Sequence, residues 1–143
     1  MRRYRFRLDA VLRVRRLQED VARGALAEAT ATVGRAEGAV ARADAWLDGL
    51  RAKAGPPGPL AWEAQRRVQL AAADELTSRV TELGAARTEQ RARQAALADA
   101  RMRVRALERL DERRRAEHAR EVARQDERVV DDLVTSRYHR RGA

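Results

Sequence analysis

Residues 55–59 read Gly-Pro-Pro-Gly-Pro, and this pentapeptide holds all three prolines of a 143-residue chain. A proline lacks the amide hydrogen that a helix interior needs, and its ring clashes with the preceding turn, so no helix passes through such a run. About 50 residues precede it and about 80 follow it, and neither arm contains another proline. Both arms can therefore be helical throughout. Isolated glycines at 24, 34, 38, 49 and 84 each weaken a helix by ~1 kcal/mol relative to alanine, which a long partnered helix absorbs.

Working outward, Ala22, Ala25, Ala29, Thr32, Ala36, Ala39, Ala43, Trp46 and Leu50 follow one another in steps of three and four. That is a heptad seam. Leu26, Val33, Val40 and Leu47 recur every seven residues beside it and widen the stripe. In the second arm Leu76, Leu83, Leu97 and Val104 share one heptad column, with Gln90 at the missing step and Val80, Ala100 and Leu107 alongside. Apolar stripes of this width bury against a partner helix, and the two arms are each other's nearest partner.

The expected fold is all-α, one antiparallel coiled-coil hairpin over residues 1–143. Its helices run from about 6 to 53 and about 61 to 138, joined by a turn at 54–60. A reversal centred on the turn places positions whose numbers sum to about 114 opposite each other: Leu17 against Leu97, Val14 against Ala100, Leu8 near Leu107. The first arm then runs out near position 110, so the end of the second helix overhangs. Residues 108–121 (ERLDERRRAEHARE) are charged almost all round, as an unpaired solvated helix must be. Unbroken, the second helix would be on the order of 115 Å long at ~1.5 Å per residue, with a bend or a frayed end expected in the overhang. Trp46 and Trp62 stand on either side of the turn and are expected to pack together across its tip.

Composition supports the same fold class. Aromatics are 3% of the chain and charged residues 37%, and the 44% hydrophobic fraction is mostly alanine, leucine and valine. Alanine, leucine, arginine and glutamate are the best helix formers, and little else is present to fill a globular core. The chain has no cysteine, which excludes disulfides, thiolate metal sites and cysteine nucleophiles. No apolar run approaches the ~20 residues of a membrane span and no signal peptide opens the chain, so the expected location is cytoplasmic.

Net charge is +9, and its distribution is uneven. Residues 1–24 carry eight basic and three acidic side chains, residues 101–143 carry thirteen and nine, and residues 25–100 carry ten of each. A hairpin brings the two basic ends together. Three classes of partner suit a basic pole: nucleic acid, anionic lipid and an acidic protein surface. Interleaved acids such as Asp111, Glu112, Glu117 and Glu121 would repel phosphates, and no reading motif is present, which argues against specific nucleic-acid recognition. Residues 2–17 (RRYRFRLDAVLRVRRL) have the pattern of a basic amphipathic helix suited to an anionic membrane, although the same apolar residues are expected to cover Ala100 to Leu107.

Catalytic signatures are missing. There is no GxxxxGK phosphate loop. Only His118 and His139 are available to a histidine-based site, Ser78 and Ser136 have no base nearby in sequence, and a two-helix hairpin offers no pocket to shift paired carboxylates. The chain is expected to be non-enzymatic and to need no cofactor or metal.

The opening YRFRLDAVLRVRRLQED (Tyr4 to Asp20) and the closing LERLDERRRAEHAREVARQDERVVDDL (Leu107 to Leu133) resemble the two ends of FliJ-family proteins, the small coiled-coil component of the flagellar type III export apparatus. Phe6, Leu8, Val11, Leu12, Arg15 and Glu19 fit the family's N-terminal pattern; Leu107, Leu110, Arg113 to Arg115, Glu117 and the Asp126 to Asp132 acidic cluster resemble its end. A tyrosine usual in the charged C-terminal helix is replaced by His118.

The resemblance implies a stalk-like hairpin serving protein export and motility, whose paired termini enter the ring of the flagellar export ATPase. Implied partners are that ATPase and its regulator, the cytoplasmic domain of the export gate, and export chaperones. It also implies a monomer when unbound, located at the inner face of the cell membrane with peripheral contact possible. Arg13, Arg16, Arg113, Arg114 and Arg115 are the candidate ring-facing contacts. A generic coiled-coil scaffold or regulator, and a basic helical nucleic-acid or membrane-surface binder, remain as alternatives.

Overall fold

The structure, a computed structural model, describes residues 4–53 and 58–141, with side chains described in these ranges except at 59, 60 and beyond Asp131. Two helices pack against each other, α1 (Asp9–Ala52) and α2 (Pro59–Arg141), and the described residues contain no strand. The fold is an all-α helical hairpin, as the heptad patterning requires.

Local chemistry sets the helix ends. The Leu8 carbonyl accepts the Leu12 amide at 2.9 Å, and Asp9 places a carboxylate in the first turn, where the partial positive charge of the helix N-terminus favours it. Ahead of it, the Asp9 amide donates to the Phe6 carbonyl at 3.3 Å. Residues 7–8 form a turn, so α1 starts three residues later than its pattern suggests. At the other end Arg51 supplies a cation to the last turn. Of the three prolines, Pro59 opens α2 instead of breaking it: the first helical residue needs no amide hydrogen, and the Gly58 carbonyl accepts the Trp62 amide at 3.0 Å. The turn expected at 54–60 lies partly outside the described residues, at 54–57. α2 continues as helix through Arg141, including the stretch expected to fray.

The chain divides into two compact units, one combining Met1–Gln18 with Ala100–Ala143, the other Glu19–Asp99. In the Glu19–Asp99 unit, Ala29, Val33, Ala43, Leu47, Ala72 and Leu97 are buried. The buried seam of α1 thus follows the 22-29-36-43 and 26-33-40-47 columns, whereas Thr32 and Trp46 of the third column are exposed. Gln90, the polar step in the α2 column, donates to Thr30 Oγ1 at 3.1 Å, and that hydroxyl donates in turn to the Leu26 carbonyl at 2.9 Å. A polar residue in a seam is tolerated when its hydrogen bonds are made. Arg87 and Glu37 pair across the helices at 2.9 Å.

Within the unit of the two chain ends, Leu12 and Val104 are buried, and Arg16 reaches Glu108 at 2.8 Å. The facing pairs 30 with 90, 37 with 87 and 16 with 108 have numbers summing to 120 or 124, not 114. This corrects the turn-centred register. Leu17 is 65% exposed and Val14 52%, so neither covers an α2 partner as expected, and Leu8 is exposed as well. Register in a helix pair follows whichever apolar columns gain most burial, and symmetry about the turn has no energy of its own.

The tryptophans stand at unequal distances from the turn and lie apart. Trp46 lines a groove with Ala39, Ala43 and Ala71, while Trp62 is half exposed with the Arg66 guanidinium 5.3 Å from its ring centroid. They make no ring contact among the described residues. In the chain-end unit residues 112–117 are exposed, His118 is partly covered, and from 119 to 131 only Val122 is; the overhang thus begins beyond His118.

Candidate functional site

All five candidate arginines fall in the unit that joins the two chain ends. Arg13 and Arg16 project from the first turns of α1; Arg113, Arg114 and Arg115 are consecutive on α2 and therefore fan around its circumference. Four of the five have an acidic partner. Arg13 pairs with Asp9 at 3.2 Å, Arg114 with Glu117 at 3.1 Å and Arg115 with Asp111 at 2.9 Å, each within its own helix at a spacing of three or four. Arg16 alone among them links the two helices, through Glu108. Arg113 is exposed with no ion pair among the described residues.

The segment before α1 organises this end. Tyr4 Oη donates to Asp111 Oδ1 at 2.8 Å and lies 3.3 Å from the Asp111 carbonyl. Its ring stands 5.6 Å from the His118 ring and 5.7 Å from the Arg115 guanidinium. Half-burial, first, and the hydrogen bond and charge of Asp111, second, raise the Tyr4 phenol above its ordinary pKa, with Arg115 and Arg114 pulling the other way. Asp111 thus holds the tyrosine and the arginine together. Two shallow grooves result: Arg114 lines one with Tyr4, Phe6, Leu8 and Leu110, and Arg13 and Arg115 line the other with Tyr4 and Asp111.

So the structure brings Arg13 and Arg115 to one groove and Arg114 to its neighbour, while Arg16 is engaged at Glu108. Sequence reasoning missed the Tyr4–Asp111–Arg115–His118 cluster. Its one signal was an aromatic residue near a terminus that is otherwise arginine and small apolar residues. Exposed pairs of this kind contribute ~0–1 kcal/mol each, so they orient the guanidinium groups without locking them. Among the described residues no group of three or more His, Cys, Asp or Glu side chains could hold a metal ion, and no helix is long and apolar enough to cross a membrane.

A protein-family model described as "Flagellar FliJ protein" matches residues 4–143. No curated protein and no solved structure matches the chain.

Proposed function

The chain belongs to the FliJ family of flagellar export components, and from that premise we propose that it acts without catalysis, as a stalk-like hairpin that binds the export ATPase ring. In this reading it couples the ring to the cytoplasmic domain of the export gate, escorts export chaperones, and works at the inner face of the cell membrane. The observation that carries the reading is the family match over residues 4–143. The unit of the two chain ends supports it physically, since exposed arginines stand on both helices there, in pairs weak enough to be exchanged for a partner's carboxylates. Binding through such a surface is steered electrostatically and falls with salt.

The test titrates the protein into its cognate flagellar export ATPase while hydrolysis rate and ring assembly are followed. Stimulation at fewer than one copy per ATPase subunit is the expected result. Arg113→Glu/Arg114→Glu/Arg115→Glu should weaken ATPase binding by about tenfold or more, equivalent to about 1.4 kcal/mol, with helicity by circular dichroism unchanged. Arg113→Glu alone removes no intramolecular ion pair and serves as the milder version. If binding and stimulation survive the triple reversal, these arginines are not the ring contacts; if the unaltered protein leaves the ATPase unaffected, the stalk reading fails altogether.

A further inference from the structure

Within residues 9–18 α1 has two dissimilar faces. At about 100° per residue, Val11, Val14 and Leu17 fall in an arc of about 120°, and they are 43%, 52% and 65% exposed. Leu12, the residue that α1 buries here, lies about 160° around the helix from Val14. The stripe therefore points away from α2. Arg13 and Arg15 flank it, each about 40° beyond one edge, and Asp9, the one acid of this stretch, lies on the far side beside its partner Arg13. Gln18 stands within the arc and accepts a hydrogen bond from Arg15 at 2.9 Å. Counting from Tyr4, residues 4–18 carry five arginines against that single acid.

We propose that, while this end of the hairpin is free of the ATPase ring, this face of α1 lies on an anionic lipid surface. The order apolar stripe, arginine flanks, acid behind is what an interfacial helix needs: the apolar side chains enter the acyl boundary, and the arginine stems lie along it while their guanidinium groups reach lipid phosphates. Three side chains fall far short of the ~800 Å² per partner that a stable protein interface buries, whereas attraction to a charged surface adds up over every basic residue near it. No described helix can span a bilayer, so the helix lies in the surface plane and does not insert across it. Arg16 stays bound to Glu108 on the side away from the lipid, which keeps α1 attached to α2 during contact.

Flotation of the full chain with two kinds of vesicle tests this, phosphatidylcholine alone and phosphatidylcholine mixed with phosphatidylglycerol, at physiological salt. The chain should float with the anionic vesicles and stay behind with the neutral ones. Leu17→Asp should lower the bound fraction by about tenfold or more through the loss of one apolar anchor, with helicity unchanged because Leu17 is 65% exposed and lies off the buried seam. Leu17→Phe, which enlarges the anchor without touching the folded core, should raise it. The proposal is overturned if the anionic vesicles recruit no protein, if neutral vesicles recruit as much, or if both Leu17 variants float like the parent. It is equally overturned if Leu17→Asp abolishes self-association seen in sedimentation while vesicle binding stays absent, since the stripe would then face a second copy of this chain.

Discussion

Substituting Leu97 and Leu17 separately by alanine tests the helix register directly. A turn-centred reversal would set these two leucines against each other and bury both, yet Leu97 is 4% exposed and Leu17 is 65% exposed. Leu97→Ala removes three carbons from the seam, about 2.4 kcal/mol at ~0.8 kcal/mol per methylene. A cavity term adds to this, but a pair of helices leaves the rim of the seam open to water and able to settle, so the total should stay near the low end of the known range, about 2–3 kcal/mol. Leu17→Ala acts at an exposed position and should change stability by less than about 0.5 kcal/mol. Both replacements make the same change in helix propensity, which cancels when they are compared. Urea unfolding followed by circular dichroism reads the difference, and equal slopes in the two variants establish that the midpoints report stability. Equal losses in both variants, or a loss below about 1 kcal/mol for Leu97→Ala, would refute the shifted register.

Three further outcomes are expected. Gly34 and Gly84 have no atom within 4 Å of a built Cβ and no positive φ, so Gly34→Ala and Gly84→Ala should each stabilise the chain by about 0.5–1 kcal/mol in the same urea assay. The Arg16–Glu108 pair is exposed, so Glu108→Gln should cost less than about 1 kcal/mol, and the difference should shrink as salt is raised. Because the Tyr4 phenol is raised in the folded chain, its contribution to stability is complete below the ordinary tyrosine value of about 10 and is lost as pH climbs through the folded value. Phenolate absorbance against pH, with Tyr4→Phe isolating the Tyr138 component, should show the Tyr4 step moving down in Asp111→Asn; an unmoved step would mean Asp111 does not hold the tyrosine.

The heptad columns were legible because their period depends on one helix alone. Leu97 and Val104 are buried where the column places them, and Gln90 sits in the same seam, its amide donating to Thr30. Register was not legible for the same reason. Sliding one helix past the other by seven residues brings every column back onto an equivalent column, so the pattern of one helix does not choose between a facing sum of about 114 and the observed 120 and 124. Alanine columns sharpen the ambiguity, since a seam of Ala22, Ala29, Ala36 and Ala43 differs little in volume from one of Ala25, Thr32 and Ala39. Leu8, Val14 and Leu17 were misplaced for a different reason: carried back in sevens, the buried 26-33-40-47 column reaches Leu12, so Val14 and Leu17 stand off the seam, and Leu8 precedes α1. The Tyr4 cluster was hidden twice over, because it needs both the register and a non-helical start before Asp9.

That cluster also ranks the candidate arginines within the proposed function. A partner carboxylate meeting Arg113 displaces nothing, whereas one meeting Arg13 or Arg114 displaces an exposed intrahelical pair of ~0–1 kcal/mol. Arg115 is held more closely, since its partner Asp111 is 18% exposed and is shared with Tyr4, so recruiting it loosens the attachment of the N-terminal segment. Arg16 stands last, because its pair with Glu108 joins α1 to α2. A surface graded in this way can first engage a partner through Arg113 and its neighbours without disturbing the fold. Deeper engagement reaches the groups that hold the two chain ends together, and this is where binding at this end could be felt by the rest of the unit.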